Sequence, residues 1–243
     1  MGSSRLPGKV LLKIENRSLL SILLERAKKA KSPDKIILAT TELPSDDQIE
    51  SFCINNEIEC FRGSENDVLD RFYHAVKNIK PQYVIRVTGD CPLIDPCLID
   101  QVVDVCQNSK ADYGTNTLNE LFPDGQDVEV IKFDALEIAW KDAKLNSERE
   151  HVTPYIRENS DYRKSKDFKF KSVNVNCNHD YSTIRMTVDE PKDFDLIQKL
   201  IRDLGTNKTW MEYTDYIIKN KLGEINAGIK RNEGYYKSLE NEK

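Results

Sequence analysis

Strand-like and helix-like stretches alternate along the first half of the chain, and that alternation limits the fold more than any other feature. Lys35-Ile36-Ile37-Leu38-Ala39-Thr40 is a short apolar run suited to a strand buried on both faces of a parallel sheet. Before it, Leu20, Leu23, Leu24, Ala27 and Ala30 recur at helical spacing and predict a helix over about residues 18–31. After it, Ser45-x-x-Gln48 has the form of a capping box and predicts the start of a second helix. Ile58-Glu59-Cys60-Phe61 reads as the next strand, and Val68, Phe72, Ala75, Val76 and Ile79 as a third helical stripe. Tyr83-Val84-Ile85-Arg86-Val87-Thr88 is a strong strand ending at Gly89-Asp90. Asp95-Pro96 then supplies an N-cap with proline at the first helical position, ahead of a core face of Ile99, Val102, Val103 and Cys106. Sequential strands separated by helices favour a mainly parallel, doubly wound α/β sheet. The second half is more mixed. Val128–Ile131 and Lys169–Asn176 alternate as strands, residues 134–143 look helical, and Pro191 begins a helix carrying Phe194, Leu196, Ile197 and Leu200. No repeat or low-complexity stretch divides the chain, so residues 1–243 are expected to form a single domain with a polar tail over 222–243.

Composition removes several classes of function. A net charge of -5 and a pI near 5.4 argue against a nucleic-acid partner, though a local basic loop for small phosphates is compatible with them. The chain has no apolar run of the roughly 18–20 residues a membrane span needs and no signal peptide, so a cytoplasmic protein with no membrane partner is expected. Cys53, Cys60, Cys91, Cys97, Cys106 and Cys177 form no C-x-x-C pair and read as small hydrophobes. His74, His151 and His179 are too scattered to suggest a metal cluster.

Gly2-Ser3-Ser4-Arg5-Leu6-Pro7-Gly8-Lys9 has the chemistry of a phosphate cradle: small residues for close backbone approach, and two cations that a Pro-Gly turn can aim at one anion. Arg5 offers a planar fork of donors and Lys9 a compact point charge. Lys9 is followed by Val10, so this is not the P-loop with its magnesium-binding hydroxyl. Asp90 sits where a strand hands over to a loop, the end of a parallel sheet at which ligands bind. Asp189, in Met186-Thr187-Val188-Asp189-Glu190-Pro191, occupies an equivalent place before a helix. Magnesium bound with phosphates takes one or two carboxylates, which these two could supply; a turn or helix cap accounts for either alone. Arg62 and Ser64, leaving a strand, could meet a base or phosphate, or simply open a helix. Asp124–Glu129 and Glu148–Pro154 place charge beside apolar residues, as a polyol or sugar-acid pocket requires; a solvated surface explains any one of them.

Taken in order, GSSRLPGK, FRGSENDVLDR, RVTGDCPLIDP, DGQDVEV, SEREHVTPYIR, MTVDEP and INAGIKRNEGYYKSL make the chain resemble the cytidylyltransferase family that includes the sialic-acid and 3-deoxy-octulosonate activating enzymes. Within that family it is most like the spore coat polysaccharide biosynthesis proteins of SpsF type. The resemblance implies a three-layer, Rossmann-like nucleotide-diphospho-sugar-transferase fold with a seven-stranded mixed sheet. It implies a reaction of CTP with a sugar acid to give CMP-sugar and pyrophosphate, for surface or spore-coat polysaccharide. By motif, Gly2, Ser3, Ser4, Arg5 and Lys9 would grip the CTP phosphates, with Arg5 and Lys9 catalytic. Asp90 and Asp189 would hold Mg2+, and Arg62 and Ser64 would belong to the nucleotide pocket. Asp127, Glu129, Arg149 and His151 would bind the acceptor sugar, within a portion, residues 120–185, that also implies a homodimer. Relatives begin with an apolar strand ending in Gln-Ala-Arg before Met-Gly-Ser, whereas this sequence starts at that Met. The expectation is therefore a first strand upstream of Met1, or otherwise a truncated, non-catalytic nucleotide-binding copy. A glycosyltransferase consuming a nucleotide sugar shares the architecture, but usually carries Asp-x-Asp where Gly89-Asp90-Cys91 has a lone acid.

Overall fold

A computed structural model describes residues 1–3, 5–164, 166–240 and 242. After a single 3-10 turn at Lys9–Leu11 come a two-residue hairpin, β1 (Lys13–Ile14) and β2 (Arg17–Ser18), and helix α1 (Leu19–Ala27). Then follow β3 (Ile37–Thr41), α2 (Asp47–Asn55), β4 (Glu59–Gly63), α3 (Val68–Val76), β5 (Tyr83–Arg86) and α4 (Pro96–Ser109). The second half contains β6 (Tyr113–Thr115), β7 (Glu129–Lys132), α5 (Phe133–Asp142), α6 (Asn146–His151), α7 (Pro154–Glu158) and β8 (Ser172–Asn174). It closes with α8 (Pro191–Leu204), α9 (Trp210–Lys219) and α10 (Glu233–Glu240).

The sheet layer consists of two ladders. β3 and β4 pair in parallel, Ile37 opposite Glu59 through Thr41 opposite Gly63. The second ladder runs β5-β7-β6-β8, with β7 antiparallel to both β5 and β6 and β8 parallel to β6. Within it β5, β6 and β8 therefore point one way and β7 alone runs against them, a mixed sheet of mainly parallel strands. Among the described residues six strands carry the layer where seven were expected, and β3 and β5 each pair along one edge. Residues 1–3 and 5–8 are turns and coil rather than a strand against them.

Alternation along the strands makes this a three-layer structure. In the β5–β7 register Val84 faces Ile131 and Ile85 faces Val130. Val84 and Ile131 pack with Leu69 of α3 and Ala135, Leu136 and Ala139 of α5. Ile85 and Val130 face the other way, into a cluster with Leu20, Leu23 and Leu24 of α1, Ile49 and Cys53 of α2, and Leu98, Val102 and Cys106 of α4. That same cluster takes Leu38 of β3 and Cys60 of β4, so one apolar layer underlies both ladders. Each such side chain contributes about 1.5–3 kcal/mol on leaving water. A third cluster joins α8 and α9 to Ile14, Leu19, Ile22 and Leu93. Buried Arg26 staples α1 across it, donating to the carbonyls of Ile94 at 2.7 Å and Lys208 at 2.9 Å, and to that of Thr206.

Several local expectations change. Asp95 is the N-cap of α4, accepting from the Cys97 N–H at 2.8 Å, as its pattern indicates. Ser45 caps nothing. Pro44–Asp46 is a 3-10 turn, and the Asp46 carboxylate instead accepts from the Thr40 and Thr41 hydroxyls at 2.6 and 2.7 Å, closing the end of β3. Met186–Val188 is not a ladder strand; the segment is held by an isolated bridge between Asp124 and Arg185. Arg62 is also reassigned. It pairs with Asp47 at 2.8 Å and Glu50 at 2.7 Å and donates to the carbonyls of Thr41 and Leu43 at 2.9 Å, tying α2 to the end of β3. Those bonds fix the guanidinium between α2 and the end of β3.

Candidate active site

Residues 5–9 fold into a tight turn. Gly8 is left-handed at φ 69°, Lys9 N–H bonds the Leu6 carbonyl at 3.2 Å, and the Ser3 hydroxyl accepts from Leu6 N–H at 3.3 Å. Gly2 lies beside Glu65, 3.3 Å from where its Cβ would stand; Ser4 lies outside the described residues. The turn delivers Lys9 to two carboxylates distant in sequence: its Nζ is 2.7 Å from Asp90 Oδ2 and 2.7 Å from Asp189 Oδ1. Arg5 joins them, 3.3 Å from Asp189, 3.6 Å from Glu190 and 2.9 Å from Glu233. The two acid-bearing segments are also joined through their backbones, Val188 N–H to the Asp90 carbonyl at 2.8 Å. Lys9 is 14% exposed; burial alone would lower its pKa, but Asp90 and Asp189 outweigh that and raise it. Burial likewise opposes ionisation of Asp189, yet Lys9 and Arg185 hold its carboxyl below the usual range.

Arg185 is the hub beneath this group. Only 7% exposed, its guanidinium bonds Asp124, Asp189 at 2.7 Å, and Asp193 at 2.9 and 3.1 Å. Asp193, fully buried, also accepts from the N–H groups of Asp189 and Glu190 at 3.0 Å, closing the first turn of α8, and from Asn226 at 2.9 Å. Asp124 leads to Arg231, whose guanidinium lies 3.9 Å from it, 2.6 Å from Asp127 and 3.1 Å from the Phe122 carbonyl. Burial and neighbouring Asp127 push the Asp124 carboxyl up to about 7, against the pull of Arg231 and Arg185. A continuous path of charge thus runs from Lys9 through Asp189, Arg185, Asp124 and Arg231 to Asp127. Gly125 permits its tight turn: φ is 100°, and a Cβ would stand 2.6 Å from the backbone of Met186 and Thr187. Gly125→Ala is expected to cost about 2–3 kcal/mol in urea unfolding through overpacking and the positive φ. An unchanged midpoint would show that the turn has room to move.

The remaining candidates have settled partners. Glu129 accepts from Arg86 and the Tyr113 hydroxyl at 2.5 Å and from the Thr153 hydroxyl at 2.7 Å. Burial opposes its ionisation, but Arg86 and those two hydroxyls hold its carboxyl below the ordinary value. Arg149 binds Asp67 at 2.5 Å and the Trp140 carbonyl at 2.6 Å, joining α6 to the N-cap of α3. His151 meets the Ser238 hydroxyl at 3.1 Å and the Tyr235 ring edge-on at 5.2 Å, and burial lowers its pKa. Ser64 accepts from the Asp67 N–H at 3.1 Å, a helix-entry contact. Arg185, Asp193, Arg231 and Asn226 were not among the sequence candidates. Arg185 left a signal, as the one cation inside the apolar run Ile184–Val188, where a buried charge must be paired.

Whether Asp90 and Asp189 suit magnesium can be judged from Lys9: two carboxylates reaching one ammonium at 2.7 Å each converge on one cation-sized locus. Among the described residues no three His, Cys, Asp or Glu side chains gather as a metal cluster. A locus of two carboxylates suits magnesium, which keeps water and phosphate ligands and needs one or two carboxylates. No helix among the described residues is long and apolar enough to cross a membrane.

Comparison with known proteins gives a consistent result. Residues 1–222 match the cytidylyltransferase family. An uncharacterised protein of Methanocaldococcus jannaschii is 41% identical over 232 residues, 95% of this chain and 92% of its own. Spore coat polysaccharide biosynthesis protein SpsF of Bacillus subtilis is 34% identical over 210 residues, 84% of each chain. Among solved structures, a cytidylyltransferase from Leptospira borgpetersenii superposes with a TM-score of 0.86 at 32% identity, covering 95% of both chains.

Proposed function

The chain belongs to the cytidylyltransferase family and is a nucleotidyltransferase, and from that premise we propose that it joins CTP to a sugar acid, forming CMP-sugar and releasing pyrophosphate. The observation that carries the reading is the sharing of Lys9 by Asp90 and Asp189, with Arg5 beside them. An acceptor hydroxyl attacks the α-phosphorus in line; the new O–P bond forms as the bond to the β-phosphate oxygen breaks. The protein's task is orientation and charge stabilisation. Arg5 presents a fork of donors to phosphate oxygens, and Lys9 a point charge for the negative charge growing on pyrophosphate. Magnesium held by Asp90 and Asp189 would supply charge neutralisation on the triphosphate and a more acidic acceptor hydroxyl. Arg185 keeps Asp189 ionised and oriented while remaining buried itself. On the acceptor side, Asp127 offers carboxylate oxygens to sugar hydroxyls, Glu129 stays with Arg86, Tyr113 and Thr153, and Arg149 and His151 frame that wall through α6.

The similarity to the Bacillus subtilis spore coat polysaccharide biosynthesis protein supports a product destined for surface or spore-coat polysaccharide. A cytoplasmic homodimer pairing through residues 120–185 completes the proposal. The test is pyrophosphate release from CTP with magnesium and a panel of sugar acids that includes sialic acid and 3-deoxy-octulosonate. Release requiring all three components is the expected result. Consumption of a nucleotide sugar without pyrophosphate would instead establish a glycosyltransferase. A melting temperature unmoved by magnesium-CTP would establish a copy that does not bind nucleotide.

A further inference from the structure

Residues 226–240 lie beyond the family match, which ends at residue 222, and run as a strap over the site. The strap has two kinds of hold. Buried anchors come first: Asn226 bonds Asp193 at 2.9 Å and the Arg185 carbonyl at 3.2 Å, and Arg231, 12% exposed, bonds Asp127 at 2.6 Å. The later holds are polar and accessible. Glu233 meets Arg5 at 2.9 Å, both side chains 33% exposed, and Ser238 meets His151 at 3.1 Å and Glu150 at 2.7 Å. Between the two kinds stands Asn232, left-handed at φ 56°, and α10 beyond it buries no residue. A helix held by exposed polar contacts is a low-cost opening unit. Its contact with the phosphate turn, Glu233 to Arg5, sets a carboxylate on a cation that the nucleotide reading requires.

We propose that Glu233 is a nucleotide-displaced latch: it pairs with Arg5, and a triphosphate, competing for that guanidinium, releases α10 while Arg231 keeps the strap attached. The proposal rests on the nucleotidyl-transfer reading. Its chemistry is simple exchange, the Arg5 donors passing from a carboxylate to phosphate oxygens and leaving the like-charged Glu233 repelled by the triphosphate. Exposed pairs of this kind are weak, so removing the competitor is worth a small factor in affinity, on the order of two- to fivefold.

The experiment measures CTP binding by calorimetry on the full chain and on Glu233→Gln, with hydrogen exchange of residues 233–240 in both. Magnesium-CTP should bind the variant about two- to fivefold more tightly at low salt, and the difference should shrink at about 0.5 M salt, where the Debye length is roughly half its value at 0.15 M. In the wild type CTP should speed exchange across α10; in the variant exchange should be fast without it. Equal or weaker CTP binding by the variant, or slower α10 exchange with CTP in the wild type, overturns the latch and leaves nucleotidyl transfer standing. Absence of CTP binding by both proteins overturns the latch and the nucleotide reading together.

Discussion

Asp90→Asn lowers turnover on the order of 10³-fold, while CTP affinity changes by less than about fivefold. The substitution keeps the side chain's size and removes one of the two charges that converge on the Lys9 ammonium at 2.7 Å. In the ground state Arg5, Lys9 and the backbone of the phosphate turn still bind the triphosphate. In the transition state, charge must be balanced where the acceptor oxygen attacks and pyrophosphate departs, and there a lost carboxylate is felt most. A factor of 10³ corresponds to about 4 kcal/mol of transition-state stabilisation. Single-turnover pyrophosphate release at saturating CTP, over a magnesium titration, measures it. Near-normal turnover at ordinary magnesium would remove Asp90 from the chemistry and leave it a turn residue.

Arg185→Met is the second large effect, on stability. The guanidinium balances Asp124, Asp189 and Asp193 from a position 7% exposed, and methionine fills part of its volume without its charge. Removing one partner from a buried ion cluster costs about 3–5 kcal/mol, because the remaining charges stay desolvated and face one another. In a chain of this size that is a melting-temperature loss of roughly 6–20 °C. The pH dependence has a definite sign. Losing Arg185 takes away a pull that lowers the folded-state pKa values of Asp124 and Asp189, the first of which burial and Asp127 already push up to about 7, so the folded variant binds protons more readily than the folded wild type. The penalty is therefore smallest in acid, where protonation relieves the repulsion, and grows as pH rises through those raised values. Urea unfolding at several pH values checks both size and trend; a midpoint near that of the wild type at neutral pH would mean the cluster is not held by Arg185.

What the sequence made legible was local. Asp95-Pro96 announced α4, because cap and proline act within one turn, and the stripe of Leu20, Leu23 and Leu24 announced α1 because burial follows the 3.6-residue period. The mainly parallel order followed from alternation, although β7 runs against its neighbours and nothing local in its four residues distinguishes that direction. The Ser45 capping-box pattern misled because Asp46 has stronger business with Thr40 and Thr41. In the site, the paired positions of Asp90 and Asp189 at the ends of apolar segments were readable, and so were the cations of the opening turn. Arg231 was not, since its partner Asp127 is 104 residues away and neither neighbourhood marks the other. Arg62 is the complementary case: its motif position suggested a ligand contact, and its pairing with Asp47 and Glu50 on the adjacent helix was not legible beside it.

A crystal structure of the full chain with CTP and manganese, read by anomalous scattering, bears most directly on this account. It predicts a metal peak between the carboxylates of Asp90 and Asp189, with Arg5 and Lys9 on the phosphate oxygens. A triphosphate seated elsewhere, with Lys9 still bridging the two aspartates and no metal beside them, would contradict it.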